Sequence, residues 1–199
     1  MRQVFSGAQV FDGTRLLADH AVIVENGIIT GVKDGPVADP MFQGGILAPA
    51  FVDLQVNGGG GIMLDGAADA GRIAAICATH ILLGCAGVLP TLITDSEDAT
   101  RRVIAAAIEA AQANVPGFLG LHLEGPHLDV RRKGAHDAAL IRPMTAADLA
   151  MLVDAAQRLP VLMVTVAPCS VTLDQVRALV KAGAIVSLGH SECSYDEAL

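Results

Sequence analysis

The chain has 199 residues, of which 52% are apolar and 3% aromatic, and its formal net charge is −8. This length exceeds the ~100 to 150 residues of a typical domain, so we expect one large domain or a domain with a small appendage. The acidic balance argues against nucleic-acid binding, which depends on clustered Lys and Arg. No stretch approaches the ~18 to 20 apolar residues needed to cross a bilayer, so we expect no membrane partner.

The N-terminal residues 1–7 lack the continuous apolar segment and the small-residue cleavage site of a secretory signal. We therefore expect a cytoplasmic protein. The four cysteines show no CxxC pairing, so neither a zinc ribbon nor a disulfide framework is indicated.

Residues 1–48 have the pattern of short strands separated by turns. Strands are predicted over 3–10, 21–25 and 28–32, with a turn at 11–14. Asn26-Gly27 lies between two apolar runs and predicts a β-hairpin, because both residues tolerate the positive φ of a type I′ turn. This segment is interpreted as a small β domain.

Residues 49–199 alternate short apolar strands with Ala-rich helical stretches. Helices are predicted over 69–83, 96–113, 145–158 and 172–182. The last two open with Thr145-x-x-Asp148 and with the capping box Thr172-x-x-Gln175. The strands between them are predicted over 50–56, 86–92, 117–123, 161–166 and 184–188. This order indicates an α/β fold with a parallel sheet, either doubly wound or a (β/α)₈ barrel, and periodicity alone does not choose between the two.

The end of the chain has the pattern of an interrupted element. Ser194-x-x-Glu197 is a capping box that begins a helix, yet the sequence stops at Leu199. A complete barrel needs ~200 to 250 residues. We therefore expect a truncated barrel of about five strands, whose first and last strands are left as open apolar edges.

Polar residues follow several of the predicted strands, at the sheet edge where α/β folds place their functional groups. A buried carboxylate at Glu124 must be paired, protonated or bound to metal. His122 lies two residues earlier on the same strand face, so it is either a second metal ligand or a core histidine bonded to a neighbour. His190 after the fifth strand is equally compatible with metal ligation and with a satisfied polar group. Gln55 and Asn57 end the first strand.

Two further patterns favour simple structural roles. The run Gly58–Gly61 lacks the Lys and Ser/Thr of a phosphate-binding P-loop, which favours a flexible loop. Arg131, Arg132 and Lys133 are typical of a solvated charged turn. Only their nearness to Glu124 suggests an anionic substrate.

Three segments resemble the N-acetylglucosamine-6-phosphate deacetylases, of the amidohydrolase superfamily, in sequence, order and spacing. They are 47–58 (LAPAFVDLQVNG), 119–136 (LGLHLEGPHLDVRRKGAH) and 187–191 (SLGHS). The resemblance implies a partial TIM-type (β/α)₈ barrel over 49–199, preceded at 1–48 by part of a small β-sandwich domain. It further implies removal of the acetyl group of N-acetylglucosamine 6-phosphate, which yields glucosamine 6-phosphate and acetate in amino-sugar catabolism.

The resemblance also implies that Glu124 and His190 are metal ligands. Gln55 and Asn57 stand where many amidohydrolases carry His-x-His, and amides ligate divalent ions poorly compared with imidazole. We therefore expect one divalent metal ion rather than two. Zinc, iron, cobalt and manganese are not distinguished by these ligands.

By the same resemblance, the substrate is contacted by Ala135, His136, Gln55 and Asn57. The remaining His ligand, the Asp that acts as general acid/base, and the Arg and His that grip the phosphate are expected beyond residue 199. We therefore expect the 199-residue chain to lack full activity alone. His127 stands where the family often has an aromatic residue, and it is expected to alter the pocket wall.

The sequence is also compatible with two other hypotheses. In the first, the chain is a non-catalytic truncated fragment or an interaction module. In the second, it is an amidohydrolase that acts on another N-acetyl sugar or on a cyclic amide. The run Lys133-Gly134-Ala135-His136 favours the sugar phosphate over the cyclic amide. Members of the family are expected to form homodimers.

Overall fold

A computed structural model of the chain describes residues 1–35, Val37 and 40–199. The chain forms two compact units, Met1–Ala50 and Phe51–Leu199. Across the described ranges, no helix has both the length and the apolar character that crossing a bilayer requires.

The first unit is built from short strands that form two three-stranded sheets, ordered β1-β4-β5 and β3-β2-β6. The strands are β1 (Arg2–Phe5), β2 (Gln9–Phe11), β3 (Leu16–Leu17), β4 (His20–Glu25), β5 (Ile28–Asp34) and β6 (Ile46–Leu47). The predicted hairpin is confirmed, because β4 pairs with β5 in antiparallel orientation around Asn26 and Gly27. Both turn residues have positive φ, of 52° and 83°.

The prediction of one strand over 3–10 was wrong, since the structure has two strands separated at Ser6–Ala8. Gly7 takes a φ of +89°, which leaves the extended region. The carbonyl groups of Ser6 and Gly7 accept hydrogen bonds from the N–H groups of Phe42 and Gly44, at 2.9 and 2.8 Å. A distant segment of the chain therefore satisfies the backbone at this break.

The second unit alternates strands and helices. Its strands are β7 (Phe51–Val56), β8 (Gly58–Gly59), β9 (Ile62–Met63), β10 (Cys85–Ile93), β11 (Leu121–Glu124), β12 (Leu162–Val166) and β13 (Ile185–Leu188). Its α-helices are α1 (Ala70–Leu82), α2 (Glu97–Gln112), α3 (Ala146–Arg158), α4 (Leu173–Lys181) and α5 (Tyr195–Ala198). The four predicted helices are confirmed to within one residue at each end.

Helices α3 and α4 begin at the threonines that the sequence pattern selected. The side chain of Thr145 accepts a hydrogen bond from the N–H of Asp148, and the Asp148 side chain accepts one from the N–H of Thr145. Thr172 and Gln175 form the same reciprocal pair at α4. Because such caps satisfy N–H groups that have no partner inside the helix, each stabilises its helix by about 1 kcal/mol.

The second unit contains a five-stranded parallel sheet in the order β7-β10-β11-β12-β13. Within this sheet, each strand lies next to the sheet strand that comes before it in the chain, as in a barrel, whereas a doubly wound sheet reverses direction at a switch point. Leu121 and Leu123 on β11 belong to the apolar core with helical residues such as Val103. Because side chains alternate along a strand, His122 and Glu124 lie on the opposite face.

The two edge strands of this sheet expose apolar side chains, as predicted. On β7, Phe51 is 71% exposed and Leu54 is 48% exposed. On β13, Ile185 is 49% exposed and Leu188 is 45% exposed. Within the described residues the sheet is therefore an open half-barrel.

Two further predictions about this unit need correction. The third strand was predicted over 117–123 but runs only over Leu121–Glu124. Gly117 and Gly120 precede it with φ of 77° and 151°, and a Cβ at Gly120 would lie 2.0 Å from the carbonyl oxygen of Val161. The flexible loop predicted at Gly58–Gly61 is instead a hairpin of β8 and β9, tied to α1 by a 2.9 Å contact between His80 Nε2 and the Gly58 carbonyl oxygen.

Candidate functional site

Several polar side chains meet at the C-terminal ends of the parallel strands. Glu124 ends β11, Gln55 lies near the end of β7, and His190 follows β13. Thr94 follows β10, and His136 lies in the segment after β11. Neighbouring parallel strands end at the same edge of a sheet, which is why residues so far apart in the chain come together.

Glu124 is the centre of this group and is 6% exposed. Its Oε1 lies 2.9 Å from Nε2 of His190. Its Oε2 accepts a hydrogen bond from Nε2 of Gln55 at 3.1 Å and lies 3.9 Å from Nε2 of His136. The carboxylate is thus buried with polar partners, which offsets the cost of removing it from water.

His190 is held by the turn that follows β11. Its Nδ1 lies 2.8 Å from the carbonyl oxygen of Arg132, and its own carbonyl accepts the N–H of Asp129 at 3.0 Å. The residue has a φ of +49°, a conformation that non-glycine residues seldom adopt and that is found at functional sites. The backbone of 129–132 therefore orients the imidazole ring.

The contact between His190 and Glu124 has a direct chemical consequence. A carbonyl oxygen can only accept, so Nδ1 of His190 carries a proton and donates it to Arg132. In the neutral ring Nε2 then presents a lone pair to the carboxylate 2.9 Å away. Two acceptors at this distance repel each other unless a proton or a metal ion lies between them.

His136 is 3% exposed and faces His190 edge-on, with ring centroids 4.5 Å apart. Its Nδ1 lies 2.8 Å from Thr94 Oγ1 and 3.2 Å from the Thr94 backbone nitrogen. Burial lowers the pKa of His136, the charge of Glu124 opposes that effect, and His190 lowers the pKa further. Burial is the largest of these effects, so the pKa of His136 lies below its ordinary value.

One carboxylate oxygen and two imidazole nitrogens, from Glu124, His136 and His190, lie within 4.8 Å of one another. This donor set suits a divalent ion such as zinc, iron, cobalt or manganese. The structure brings together Glu124 and His190, for which the sequence predicted metal ligation, and adds His136, for which it predicted substrate contact. The sequence pointed to His136 only through the resemblance of the segment 119–136 to the deacetylase family.

The other residues with a predicted substrate role lie around this cluster. Gln55 contacts Glu124 directly. Asn57 directly follows β7, two residues after Gln55, and is half-buried. Its carbonyl oxygen accepts a hydrogen bond from the N–H of Leu64 at 3.1 Å. Ala135 is exposed next to the buried His136.

His122 is a core histidine in this structure. It is 2% exposed, and its Nδ1 and Nε2 lie 3.2 and 2.8 Å from the hydroxyl oxygens of Thr91 and Thr165. Burial lowers its pKa, against the opposing effect of the Glu124 charge. With both ring nitrogens occupied by hydroxyl groups, His122 has no nitrogen left for a metal.

The basic turn after β11 pairs with acidic side chains. Arg131 contacts Asp129 at 2.6 Å and Glu192 at 3.1 Å, and Arg132 contacts Glu192 at 3.0 Å. The hydrogen bonds from Arg131 lower the pKa of Asp129 to about 2. These two guanidinium groups are engaged within the protein, which favours the solvated charged turn over an anion site.

His127 helps to hold the segment between β11 and α3. The residue is 2% exposed, its Nδ1 donates to the carbonyl of Arg142 at 3.1 Å, and its carbonyl accepts the N–H of Ala167 at 2.8 Å. Arg142 in turn binds Asp148 with two hydrogen bonds. His127 is thus a buried structural residue that links the segment after β11 to Arg142 and Ala167.

A search against protein-family models found no match. The chain is 36% identical over 203 residues to N-acetylgalactosamine-6-phosphate deacetylase of Shewanella sp. (strain ANA-3), covering 98% of this chain and 51% of that protein. It is 30% identical over 203 residues to N-acetylglucosamine-6-phosphate deacetylase of Haemophilus influenzae, covering 100% of this chain and 53% of that protein.

The fold is similar to that of a solved deacetylase. The crystal structure of N-acetylglucosamine-6-phosphate deacetylase from Pasteurella multocida superposes with a TM-score of 0.85 at 29% identity, covering all of this chain and 53% of that one. This likeness confirms the prediction of a partial barrel together with a small β domain. The chain spans about half the length of the curated relatives it matches, and over that span it is related to the N-acetylglucosamine-6-phosphate deacetylases.

Proposed function

We propose that this protein hydrolyses the acetamide bond of an N-acetylamino-sugar phosphate, with one divalent metal ion bound at Glu124 and His190. The observation that carries the proposal is the 2.9 Å approach of His190 Nε2 to Glu124 Oε1 at the C-terminal edge of the sheet. With the His190 ring neutral, Oε1 of Glu124 and Nε2 of His190 both offer lone pairs to a divalent cation. The relatives named as deacetylases support the reaction class.

A divalent ion bound here would supply a Lewis acid able to polarise the acetyl carbonyl and to lower the pKa of bound water. Glu124 and His190 would hold the ion. The Arg132 carbonyl oxygen orients the His190 ring by accepting a hydrogen bond from Nδ1, as the hydrogen-bond partners of metal-bound histidines do. Gln55 donates to the second carboxylate oxygen of Glu124. An amide at this position favours one metal ion over two.

Residues next to this pair would contact the substrate. We assign this role to His136, Ala135, Gln55 and Asn57, of which His136 and Gln55 have side chains closest to Glu124. Catalytic zinc sites usually have three protein ligands. Glu124 and His190 supply two, so we propose that full activity needs a further ligand and a general acid/base besides the residues of this chain.

The preferred substrate is N-acetylglucosamine 6-phosphate, with glucosamine 6-phosphate and acetate as products. The relative from Shewanella, at 36% identity, is named for the galactosamine epimer, which makes N-acetylgalactosamine 6-phosphate the second candidate. The two sugars differ only at one ring hydroxyl. Both therefore carry the same acetamide and the same phosphate group.

Acetate release from three compounds tests the proposal on the polypeptide as it is produced from its gene, loaded with zinc. We expect release from N-acetylglucosamine 6-phosphate, slower release from its galactosamine epimer, and little from unphosphorylated N-acetylglucosamine. Faster release from the galactosamine epimer would reassign the substrate. No acetate from either phosphate would refute the deacetylase function.

A further inference from the structure

The loop that carries His190 depends on its contacts for its shape. His190 follows β13 with a φ of +49°, in the left-handed region that residues with a side chain seldom adopt. Such a conformation persists only where the surrounding structure imposes it. The contacts of the loop 189–193 therefore decide where the imidazole ring points.

Two of these contacts are backbone contacts with the turn 129–132 that follows β11. Nδ1 of His190 lies 2.8 Å from the carbonyl oxygen of Arg132, and the His190 carbonyl oxygen accepts the N–H of Asp129 at 3.0 Å. The turn is closed by a 2.9 Å hydrogen bond from the Arg132 N–H to the Asp129 carbonyl oxygen. The orientation of the ring therefore depends on how firmly the loop is held against this turn.

Glu192 joins the loop to the turn through side chains. Its Oε2 lies 3.1 Å from a terminal nitrogen of Arg131, and its Oε1 lies 3.0 Å from Nε of Arg132. Each carboxylate oxygen is thus engaged by a different guanidinium group. Because Glu192 is two residues after His190, these ion pairs act on the same short loop as the backbone contacts.

Arg131 extends the ion pairs to a second carboxylate. Its Nε donates to one oxygen of Asp129 at 3.0 Å, and a terminal nitrogen donates to the other at 2.6 Å. The remaining terminal nitrogen contacts Glu192. Because a guanidinium group is planar and presents its donors in a fixed arrangement, it sets the direction of both carboxylates. The turn and the loop are therefore held in one relative arrangement.

The exposure of these groups separates a positioning role from a stabilising one. The side chains of Arg131, Arg132 and Glu192 are 62%, 60% and 35% exposed. Ion pairs with this exposure contribute little to the free energy of unfolding, because solvent screens them. A metal ligand, by contrast, must be held close to its productive geometry. Loss of these ion pairs should therefore affect His190 more than the fold.

We propose that Glu192 is a positioning residue that, paired with Arg131 and Arg132, holds the loop after β13 against the turn after β11 and so directs Nε2 of His190 toward the metal. The metal rests on the proposed function. The orientation of the ring does not, because it follows from contacts within the chain. The charged turn that the sequence indicated as solvated surface thus has a role in the site.

Nitrogen-15 NMR of the metal-free polypeptide, as produced from its gene, tests the orientation without any metal. The Nδ1–H of His190 is bonded to the Arg132 carbonyl, so its proton should exchange slowly with water and give a ring signal, which His190→Gln assigns. Glu192→Gln should broaden or remove that signal, because the loop is released. A signal that persists unchanged in Glu192→Gln, or that is missing in the parent, would overturn the proposal.

Zinc affinity separates positioning from a simple effect of charge. Glu192→Gln removes a negative charge, whereas Arg132→Gln removes a positive one and keeps the backbone carbonyl. Long-range charge effects on a divalent cation would therefore have opposite signs in the two variants. We expect both to weaken zinc by about 10-fold, the lower end of the loss caused by removing an outer partner of a metal ligand. Tighter zinc binding by Arg132→Gln in isothermal titration would contradict the positioning role.

The double variant and a matched control complete the zinc experiment. If Glu192 and Arg132 act through one contact, the double variant should bind zinc no more weakly than the weaker single variant, whereas additive losses would refute a shared role. Glu97→Gln breaks an exposed ion pair with Arg101 on α2 and should keep both the zinc affinity and the His190 signal. Urea midpoints should match that of the parent, and a midpoint that falls together with zinc affinity would show a merely structural role.

The NMR result and the acetate assay can fail separately. A His190 signal that depends on Glu192, in a protein that releases no acetate, would refute the proposed reaction and keep the role of Glu192. Acetate release by a protein whose His190 signal is indifferent to Glu192→Gln would keep the reaction and refute the role of Glu192.

Discussion

Glu124 and His190 approach to 2.9 Å between carboxylate oxygen and ring nitrogen, although they are 66 positions apart in the chain. Three intervening contacts make this approach possible. The parallel register places Glu124 beside Thr165 on β12, β12 pairs with β13, and the Arg132 carbonyl orients the His190 ring. The pair is thus a product of the sheet and of the turn after β11 together.

The two histidines should contribute unequally to metal affinity. His190→Gln removes a ligand atom, and we expect zinc to bind at least ~100-fold more weakly, beyond the 10- to 100-fold that loss of an outer partner costs. His136→Gln should weaken zinc by less than about 10-fold, because Nε2 of His136 lies 3.9 Å from the Glu124 carboxylate, whereas Nε2 of His190 lies 2.9 Å from it. Isothermal titration with zinc measures both variants, and an equal loss in the two would place His136 among the ligands.

The residues at the end of β7 should set the number of metal ions. Gln55→His combined with Asn57→His restores the His-x-His pattern found in many amidohydrolases, and imidazole binds divalent ions better than an amide does. We expect bound zinc to rise from one to two ions per chain. Metal content after gel filtration measures this rise, with Gln55→Asn as the control that keeps an amide. A double variant with a single ion would remove Gln55 and Asn57 from the second-metal position.

The buried pair of Asp148 and Arg142 should make stability depend on pH. Burial alone would raise the pKa of Asp148, but hydrogen bonds from Arg142 and Thr145 outweigh that effect and lower the pKa well below its usual range. The ionised form therefore stabilises the fold above the unfolded pKa of ~4, and this stabilisation is lost as the pH falls toward the folded pKa.

Asp148→Asn should accordingly reduce the free energy of unfolding at pH 7 by about 1 to 3 kcal/mol, a range that allows for solvent screening of the partly exposed Arg142. Urea unfolding at pH 7 and pH 3 should show a smaller difference between variant and parent at pH 3. Asp154→Asn in the same helix serves as the control, because its pair with Arg158 is exposed and worth little. A loss that grows on acidification would contradict the assigned sign.

The cysteines should react with thiol reagents in order of exposure. Burial raises the pKa of Cys77 to about 11, and its side chain is fully buried. Cys169 is exposed. Because the thiolate is the reactive form, a disulfide reagent at pH 8 should label Cys169 first and Cys77 only after unfolding. The rapid phase should vanish in Cys169→Ser, and rapid labelling of Cys77 in the folded protein would mean that the core around it opens readily.

The sequence allowed good prediction of the helices and of the parallel sheet, because both depend on local patterns. Thr145 and Thr172 mark helix starts through capping boxes within three residues, and the apolar strands are continuous. The break at Gly7 and the hairpin at Gly58–Gly61 were not predicted. Both depend on groups distant in the chain, the N–H groups of Phe42 and Gly44 in the first case and His80 in the second.

In the candidate site, too, contacts between residues distant in the chain were not predictable from the sequence. Glu124 and His190 were selected because each follows a strand, and strand ends share an edge in any parallel sheet. The distance of His136 from them was not predictable, since it depends on how the twelve-residue step from Glu124 folds back through the turn at Val130–Arg132. The orientations of the two imidazole rings depend on contacts with Thr94 and Arg132, whose backbone groups have no signature in the sequence.

Glu124→Gln tests the central claim most directly, when bound zinc and acetate release from N-acetylglucosamine 6-phosphate are measured on the same preparation. The substitution keeps the shape of the side chain and removes the charge that faces His190. A metal-binding deacetylase should lose both zinc and acetate release, while Glu109→Gln on the exposed face of α2 should lose neither. A Glu124→Gln protein that retains its zinc and still releases acetate would contradict the account.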